Sequence, residues 1–337
     1  MVTLKEIATA CGVSAASVSK ALNHAPDIGA DTAERIRRTA REMGYHPNAA
    51  ARALKTNRSH NIGVLFEDET HSGLTHEYFS HILNAVKTAA ESKGYDVTFI
   101  SKNIGSMAMS YLEHCRYRNC DGVVIANVAF GDPAVAELIQ SEIPVVTIDY
   151  VFDERSAVVS DNLTGMQELV RYVHGMGHRR IAFIHGEPTA VTRNRLAGFR
   201  KACEELEIEI PNGYVLCGRF HDPKASSLCT QALLQRPDRP SCILYPDDIS
   251  ILGGMTVIER ANLRIPEDIS VAGYDGIPLS RMLRPRLTTL EQDSERLGTD
   301  AVAFLLEAIE DPKNFVPRLQ IIPGRLQTGG TVGPAPE

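Results

Sequence analysis

The chain has 337 residues, 43% hydrophobic and 23% charged, with 35 basic and 42 acidic residues for a formal net charge of −7. That is ample for a buried core in two or three folding units, and it excludes a disordered or fibrous chain. No apolar run approaches the roughly eighteen residues of a membrane span, and the start MVTLKEIATA has neither the basic head nor the apolar stretch of a secretory signal, so a cytoplasmic protein without membrane contact is expected.

Residues Thr3 to Asn23, TLKEIATACGVSAASVSKALN, read as two short helices joined by a tight turn. Thr3 is placed to cap the first helix, with Glu6 completing a capping box, and Leu4, Ile7 and Ala8 share one helical face. Ala8 is small where the helices must cross. Gly12 sits at the chain reversal, Ser14 can cap the second helix, and Val13, Val18 and Ala21 return apolar side chains to the same core. An ordinary helical hairpin is the alternative, but the spacing is that of a helix-turn-helix, which lays its second helix in the major groove of DNA. After the loop HAPDIGAD, the positions Ala33, Ile36, Ala40 and Met43 predict a third helix ended by Gly44.

Charge follows this division. Residues 1–60 hold nine basic and five acidic side chains, a balance of +4, while the remainder carries −11, so phosphate attraction is confined to one end. Pro47 opens a junction in which NAAARALK, residues 48–55, is rich in helix formers yet too short to be helical alone. A polar TNRSHN ends it.

From Ile62 onward strands and helices alternate. The expected strands are Ile62–Phe66, Val97–Ile100, Gly122–Ile125, Val145–Ile148, Val158–Ser160, Ile181–Ile184, Val215–Cys217, Cys242–Tyr245 and Ile269–Ala272. Amphipathic runs such as Phe79–Ser92, Gly165–His174 and Arg195–Leu206 separate them. Continuous apolar strands between helices call for parallel sheets covered on both faces, and the length calls for two α/β lobes. Seven scattered cysteines without a C-x-x-C pair suit reduced thiols. The trio His114, Cys115 and Cys120 has no standard zinc spacing, so neither metal nor cofactor is expected. Phosphate-binding, nucleophile-elbow, zinc-protease and dinucleotide motifs are all missing, which argues against an enzyme.

Taken together, TLKEIATACGVSAASVSKALN, HPNAAARALKTNRSHNIGVL, NRLAGFRKA, YPDDISILGGMTVIERANLRIPEDISVAGYDG and RPRLTTLEQD resemble the LacI/GalR family of bacterial transcription regulators over essentially the whole chain. The fold this implies is an all-α three-helix DNA-binding head with a hinge helix, joined to a two-lobe α/β body like a periplasmic sugar-binding protein. The corresponding boundaries are 1–46 for the head, 47–60 for the hinge and 61–337 for the body. Lobe one would span 61–160 and 293–322, and lobe two 161–292 and 323–337. The implied partners are a pseudo-palindromic operator, a second copy of the chain and a small-molecule effector, a sugar or sugar derivative.

The resemblance places Ala15, Ala16 and Lys20 against base edges. Lys20 can donate to guanine, whereas two alanines offer only methyl contacts, so base readout should be thin. Thr3, Ser14, Ser17, Ser19 and Asn23 belong with the DNA-facing set, the serines and Asn23 suited to phosphate oxygens. Leu54 would wedge into the minor groove, with Arg52 and Lys55 beside it, unless it packs against the body instead. For the effector the matching positions are Asp149, Asp161, Arg195, Asp248 and Asp275, with Tyr78, Phe79, Tyr150 and Phe220 to stack on a sugar face. A purine-type ligand is the alternative. The loop FEDETHSGLTHEYF is longer than the family's usual first loop, Asp247 stands where asparagine is common, and Gly29 where a serine cap is common.

Overall fold

The computed structural model describes residues 2–22, 25, 27–46, 58–68 and 72–336. Two compact units partition the chain, Met1–Ser59 and His60–Glu337.

The first unit holds α1 (Leu4–Cys11), α2 (Ala15–Leu22) and α3 (Ala30–Glu42). The capping box of α1 is present: Thr3 N–H donates to Glu6 Oε2 at 2.7 Å while Glu6 N–H donates back to Thr3 Oγ1. Gly12 ends α1 at φ 65°, with open space where a Cβ would sit, so only the left-handed backbone demands glycine. Ser14 Oγ accepts from Ser17 N–H at 3.0 Å and so starts α2, whereas Gly29 starts α3 without any side-chain cap. Ile7, Val18 and Ile36 are fully buried between the helices, among Ala8, Ala21, Ala33 and Ala40. Each of the three large side chains contributes about 1.5–3 kcal/mol by leaving water. The alanines keep the helices close.

The second unit is built on two six-stranded sheets. One contains β1 (Asn61–Phe66), β2 (Asp96–Ile100), β5 (Gly122–Asn127), β6 (Val145–Ile148), β7 (Ser156–Ser160) and β13 (Leu319–Ile322), in the order β13-β7-β6-β5-β1-β2. The other contains β8 (Ile181–His185), β9 (Val215–Cys217), β10 (Cys242–Leu244), β11 (Ser270–Asp275), β12 (Thr288–Glu291) and β14 (Arg325–Gln327), in the order β14-β12-β11-β10-β8-β9. A small antiparallel hairpin, β3 (Asn103–Ile104) with β4 (Met107–Ala108), stands apart from both. The first sheet is parallel throughout, and the second is parallel as expected except at its edge, where β14 runs antiparallel to β12. The reason is the point of entry. Only Pro323 and Gly324 separate β13 from β14, so the chain comes straight from the first sheet and starts β14 at Arg325 opposite Glu291, the carboxyl end of β12, and must run back along it.

Each sheet is covered on both faces, which is why its strands read as unbroken apolar runs. Val64 and Val124 face one core and Leu65 and Val123 the other, and in the second sheet Phe183 and Leu244 oppose Ile184 and Ile243 in the same way. The chain passes between sheets after Ser160, after Glu291 and after Ile322. Strand order reverses between β1 and β5 and again between β8 and β10, so crevices open at the carboxyl ends of these strands.

Candidate functional site

In the first unit, the exposed surface of α2 presents Ala16 and Lys20, while Ala15 is half-buried against the three-helix core. Lys20 pairs with the exposed Asp27, whose carboxyl this hydrogen bond holds below its usual range. A lysine tethered to a solvent-exposed acid is readily exchanged onto another acceptor. Ser14 and Ser17 share a hydroxyl contact of 2.9 Å, and Thr3 is engaged with Glu6. Asn23, Arg52, Leu54 and Lys55 lie outside the described residues.

In the second unit, a cavity of about 560 Å³ lies between the two sheets. Its walls come from the segments that follow strands: Asp68 after β1, Asn127 at the end of β5, Asp149 and Tyr150 after β6, Glu187 after β8, Phe220 after β9 and Gln292 after β12. Seven of the sequence-predicted residues meet here, namely Tyr78, Phe79, Asp149, Tyr150, Arg195, Phe220 and Asp275.

Arg195 is the buried centre of the second-lobe wall. Its Nε donates to Asn162 Oδ1 and one terminal nitrogen to Pro246 O, each at 2.7 Å, leaving the other 3.6 Å from Asp275 Oδ1. The guanidinium lies 3.5 Å from the centre of the Tyr274 ring and 5.7 Å from that of Phe220. It is therefore fixed before any ligand arrives. Gly186 makes room for the Phe220 ring, since a Cβ there would fall 2.3 Å from it.

Asp149 and Asp275 both adopt left-handed backbone, φ 55° and 105°, which a β-substituted residue holds only under tertiary constraint. The constraint is visible: Ser160 N–H donates to Asp149 Oδ1 at 2.7 Å and Gln292 Nε2 to Asp275 Oδ1 at 2.6 Å. Burial raises the Asp149 carboxyl above its ordinary range despite these bonds, and pushes Asp275 up to about 7 against the opposing pull of Arg195. Tyr78 O–H donates to Asp149 Oδ2 at 3.4 Å, and its ring meets Phe79 edge-on. On the same side Tyr150 stacks flat on Phe130, centroids 4.1 Å apart. The cavity thus combines flat apolar surfaces with the carboxyl groups of Asp68, Asp149, Glu187, Asp247 and Asp275 and the preset guanidinium of Arg195.

Residues 3–48 match the family described as "Bacterial regulatory proteins, lacI family", and residues 170–332 match a "Periplasmic binding protein-like domain". The HTH-type transcriptional repressor PurR of Escherichia coli O139:H28 is 30% identical over 331 residues, covering 96% of this chain and 95% of that protein. The chain belongs to the LacI family. Among solved structures, the Lac repressor dimer bound to operator and the anti-inducer ONPF superposes with a TM-score of 0.80 at 27% identity, covering 98% of this chain and 99% of the other. A LacI family regulator from Enterococcus faecium with bound ribose superposes at 0.69 with 25% identity, over 81% of this chain and 99% of the other. A LacI-family protein of this architecture, with a helix-turn-helix head and a two-lobed body, is a transcription regulator and not an enzyme.

Two residues attributed to the effector site through the LacI resemblance do not line the cavity. Asp161 caps the helix Asn162–Gly175, its Oδ1 accepting from Thr164 N–H at 2.9 Å. Asp248 is fully buried and accepts from Ile277 N–H at 3.0 Å and Thr289 Oγ1 at 2.6 Å; burial raises its carboxyl well above the ordinary range. It ties the start of the helix Pro278–Met282 to β12. The cavity wall at this turn is its neighbour Asp247, which accepts from the backbones of His221, Ile249 and Ser250. Sequence reasoning also missed Asp68, His76, Phe130, Glu187, His221 and Gln292. Only the unusual length of the first loop and the departure at Asp247 pointed toward any of them.

Proposed function

We propose that this LacI-family regulator is a repressor of carbohydrate-utilisation genes whose operator binding is set by a sugar or sugar derivative held between the lobes. The observation that carries the reading is the cavity itself. Asp149 and Asp275 can each accept from adjacent hydroxyls and Arg195 can donate to them, while Phe79, Phe220 and Tyr150 offer flat surfaces to the C–H face of a pyranose. A volume of about 560 Å³ lies within the range of sites that enclose small molecules. The bound ribose and ONPF of the two similar structures are consistent with ligands of this kind.

At the head, α2 enters the major groove with Lys20 on a guanine edge and Ala15 and Ala16 against methyl groups, while Thr3, Ser14, Ser17, Ser19 and Asn23 face the backbone. Two heads of a homodimer read the halves of a pseudo-palindromic operator, as the Lac repressor dimer sits on its operator, and the work is done in the cytoplasm, where the chromosome is. Between them Leu54 inserts into the minor groove, flanked by Arg52 and Lys55. Effector binding changes the angle between lobes and hence the separation of the paired hinges. Because a hinge helix is unstable alone, a small change in that separation becomes a large change in DNA affinity through coupled folding.

A nucleobase is the second reading, favoured by the flat Phe130–Tyr150 wall. Isothermal calorimetry with a panel of mono- and disaccharides against purine bases and nucleosides separates the two. Binding by a saccharide alone supports the sugar assignment, and binding by a purine alone overturns it.

A further inference from the structure

The cavity carries a pair of histidines to which the preceding reading gives no task. His76 ends the long first loop, just before the helix Glu77–Ser92 of lobe one, and His221 follows β9 in lobe two. Their rings stack across the cleft, centroids 4.1 Å and planes 25° apart, and Ser72 Oγ lies 3.4 Å from His221 Nδ1. His221 is anchored in its own lobe by its N–H, which donates to Asp247 Oδ2 at 2.8 Å. His76 is anchored in the other by Phe79, edge-on at 4.9 Å.

His76 is only 7% exposed, and its Nδ1 has no hydrogen-bond partner among the described residues. A neutral ring tolerates that, because the orphaned nitrogen can be the unprotonated one. An imidazolium would put an N–H on that nitrogen, where no described residue takes it in a hydrogen bond, against the face of a second imidazole.

We propose that His76 and His221 are positioning residues for effector binding, a ring-on-ring clasp that holds the lobes closed only while His76 is neutral, so that acid loosens the grip on effector. The proposal rests on the interlobe cavity being the effector site. Burial first, and then the neighbouring His221, depress His76 to about 4, while Asp68 on its own loop and Asp247 from the opposite lobe pull the other way. In an opened cleft the ring meets water and returns to about 6.5. The closed form therefore excludes a proton that the open form accepts. Through His76 alone, closure is unaffected above pH 6.5 and weakens about tenfold per unit between there and pH 4, while Asp275, held up to about 7, acts in the opposite sense by losing its charge in acid.

The test uses the full-length chain without effector, so its outcome is independent of the effector's chemistry. In histidine-labelled NMR spectra, His76 should stay neutral down to pH 5 in the parent and should titrate near its ordinary value in His221→Ala. Hydrogen exchange, corrected for intrinsic rates, should show residues 72–76 and 220–222 opening about tenfold more at pH 5.5 than at pH 7.5. In His76→Phe, which keeps an aromatic ring but cannot titrate, that opening in acid should be lost while protection at pH 7.5 is retained. Ordinary titration of His76 in the parent overturns the clasp. So does exchange of residues 72–76 that ignores the loss of the His221 ring. Should no saccharide or purine bind at all, the effector reading fails while these ligand-free results still decide whether the two lobes are clasped.

Discussion

Asp275 is where the cost of a buried carboxylate can be measured. Burial moves its carboxyl from 3.8 to about 7, with Arg195 opposing and Asp247 and Asp149 adding to the rise. A difference of about three units, at about 1.36 kcal/mol each, sets an upper limit of about 4 kcal/mol on what an ionised Asp275 costs the folded chain. The folded carboxyl keeps its proton up to about pH 7 while the unfolded one releases it near 4, so the native state is the richer in protons between those limits. Stability therefore falls as pH rises from 4 to 7, and the whole penalty is present above 7. Asp275→Asn keeps the shape and can still accept from Gln292 Nε2, but has no charge to desolvate. It should melt with the parent at pH 4 and above it at pH 8, by at most about 8–16 °C given about 2–4 °C per kcal/mol for a unit of this size. Thermal denaturation followed by circular dichroism at pH 4, 6 and 8 reads this directly. A variant that melts at or below the parent at pH 8 refutes the reasoning, since the 3.6 Å contact with Arg195 would then outweigh desolvation. The same variant should no longer respond to effector, because its amide puts an NH2 donor where the carboxylate has a second acceptor oxygen, so adjacent hydroxyls cannot donate one to each.

Three further substitutions separate the roles assigned above. Lys20→Ala should relax preference at a single base pair by about 1–3 kcal/mol, visible as a flattened position in a binding-site selection; uniform weakening across all sequences would make Lys20 a phosphate contact instead. Leu54→Ala should lower operator affinity in a gel-shift titration while calorimetric effector binding is kept, and unchanged operator affinity would remove the minor-groove wedge. Asp248→Ala should lower stability by about 1–3 kcal/mol by leaving the Ile277 N–H and the Thr289 hydroxyl unpaired. Its effector affinity at saturating folded protein should match the parent, and a selective loss of affinity would return Asp248 to the binding site.

The alternation of apolar runs with amphipathic ones was readable because both faces of each sheet are covered, so the interior strands carry an unbroken signature. The strands that escaped, TTLE at β12, LQII at β13 and RLQ at β14, are short, and what makes them strands is pairing with a distant neighbour rather than any local period. The head was legible almost residue by residue, since caps, turn glycine and apolar face all act within a few positions. The cavity was half legible. Asp149, Arg195 and Asp275 were found through the resemblance, but in the run Pro246-Asp247-Asp248 nothing local says which acid turns to the cavity and which to the core. Asp161 misled for a related reason: an acid three residues before Thr164 is as good a helix cap as a ligand contact. His76 and His221 belong to different lobes, and no sequence pattern announces a contact made only by folding both.

The two lobes make the same device twice. With β1 matched to β8 in strand order, β6 corresponds to β11, so Asp149 and Asp275 occupy equivalent strand ends in the two sheets. Both have left-handed backbone, and both accept a hydrogen bond from the end of the next strand over, from the backbone of Ser160 at the end of β7 and from the side chain of Gln292 just beyond β12. Each lobe therefore holds one desolvated carboxyl group on left-handed backbone at the cavity wall, and the charge of Asp149 adds to the raised proton affinity of Asp275. Like charges approaching across a cleft resist closure. A ligand that donates hydrogen bonds to both removes that resistance and does so only when the lobes are together, which is the differential affinity a conformational switch requires. Substituting either carboxylate alone should weaken closure by effector, and substituting both should cost less than the sum, because after the first loss the ligand can no longer bridge.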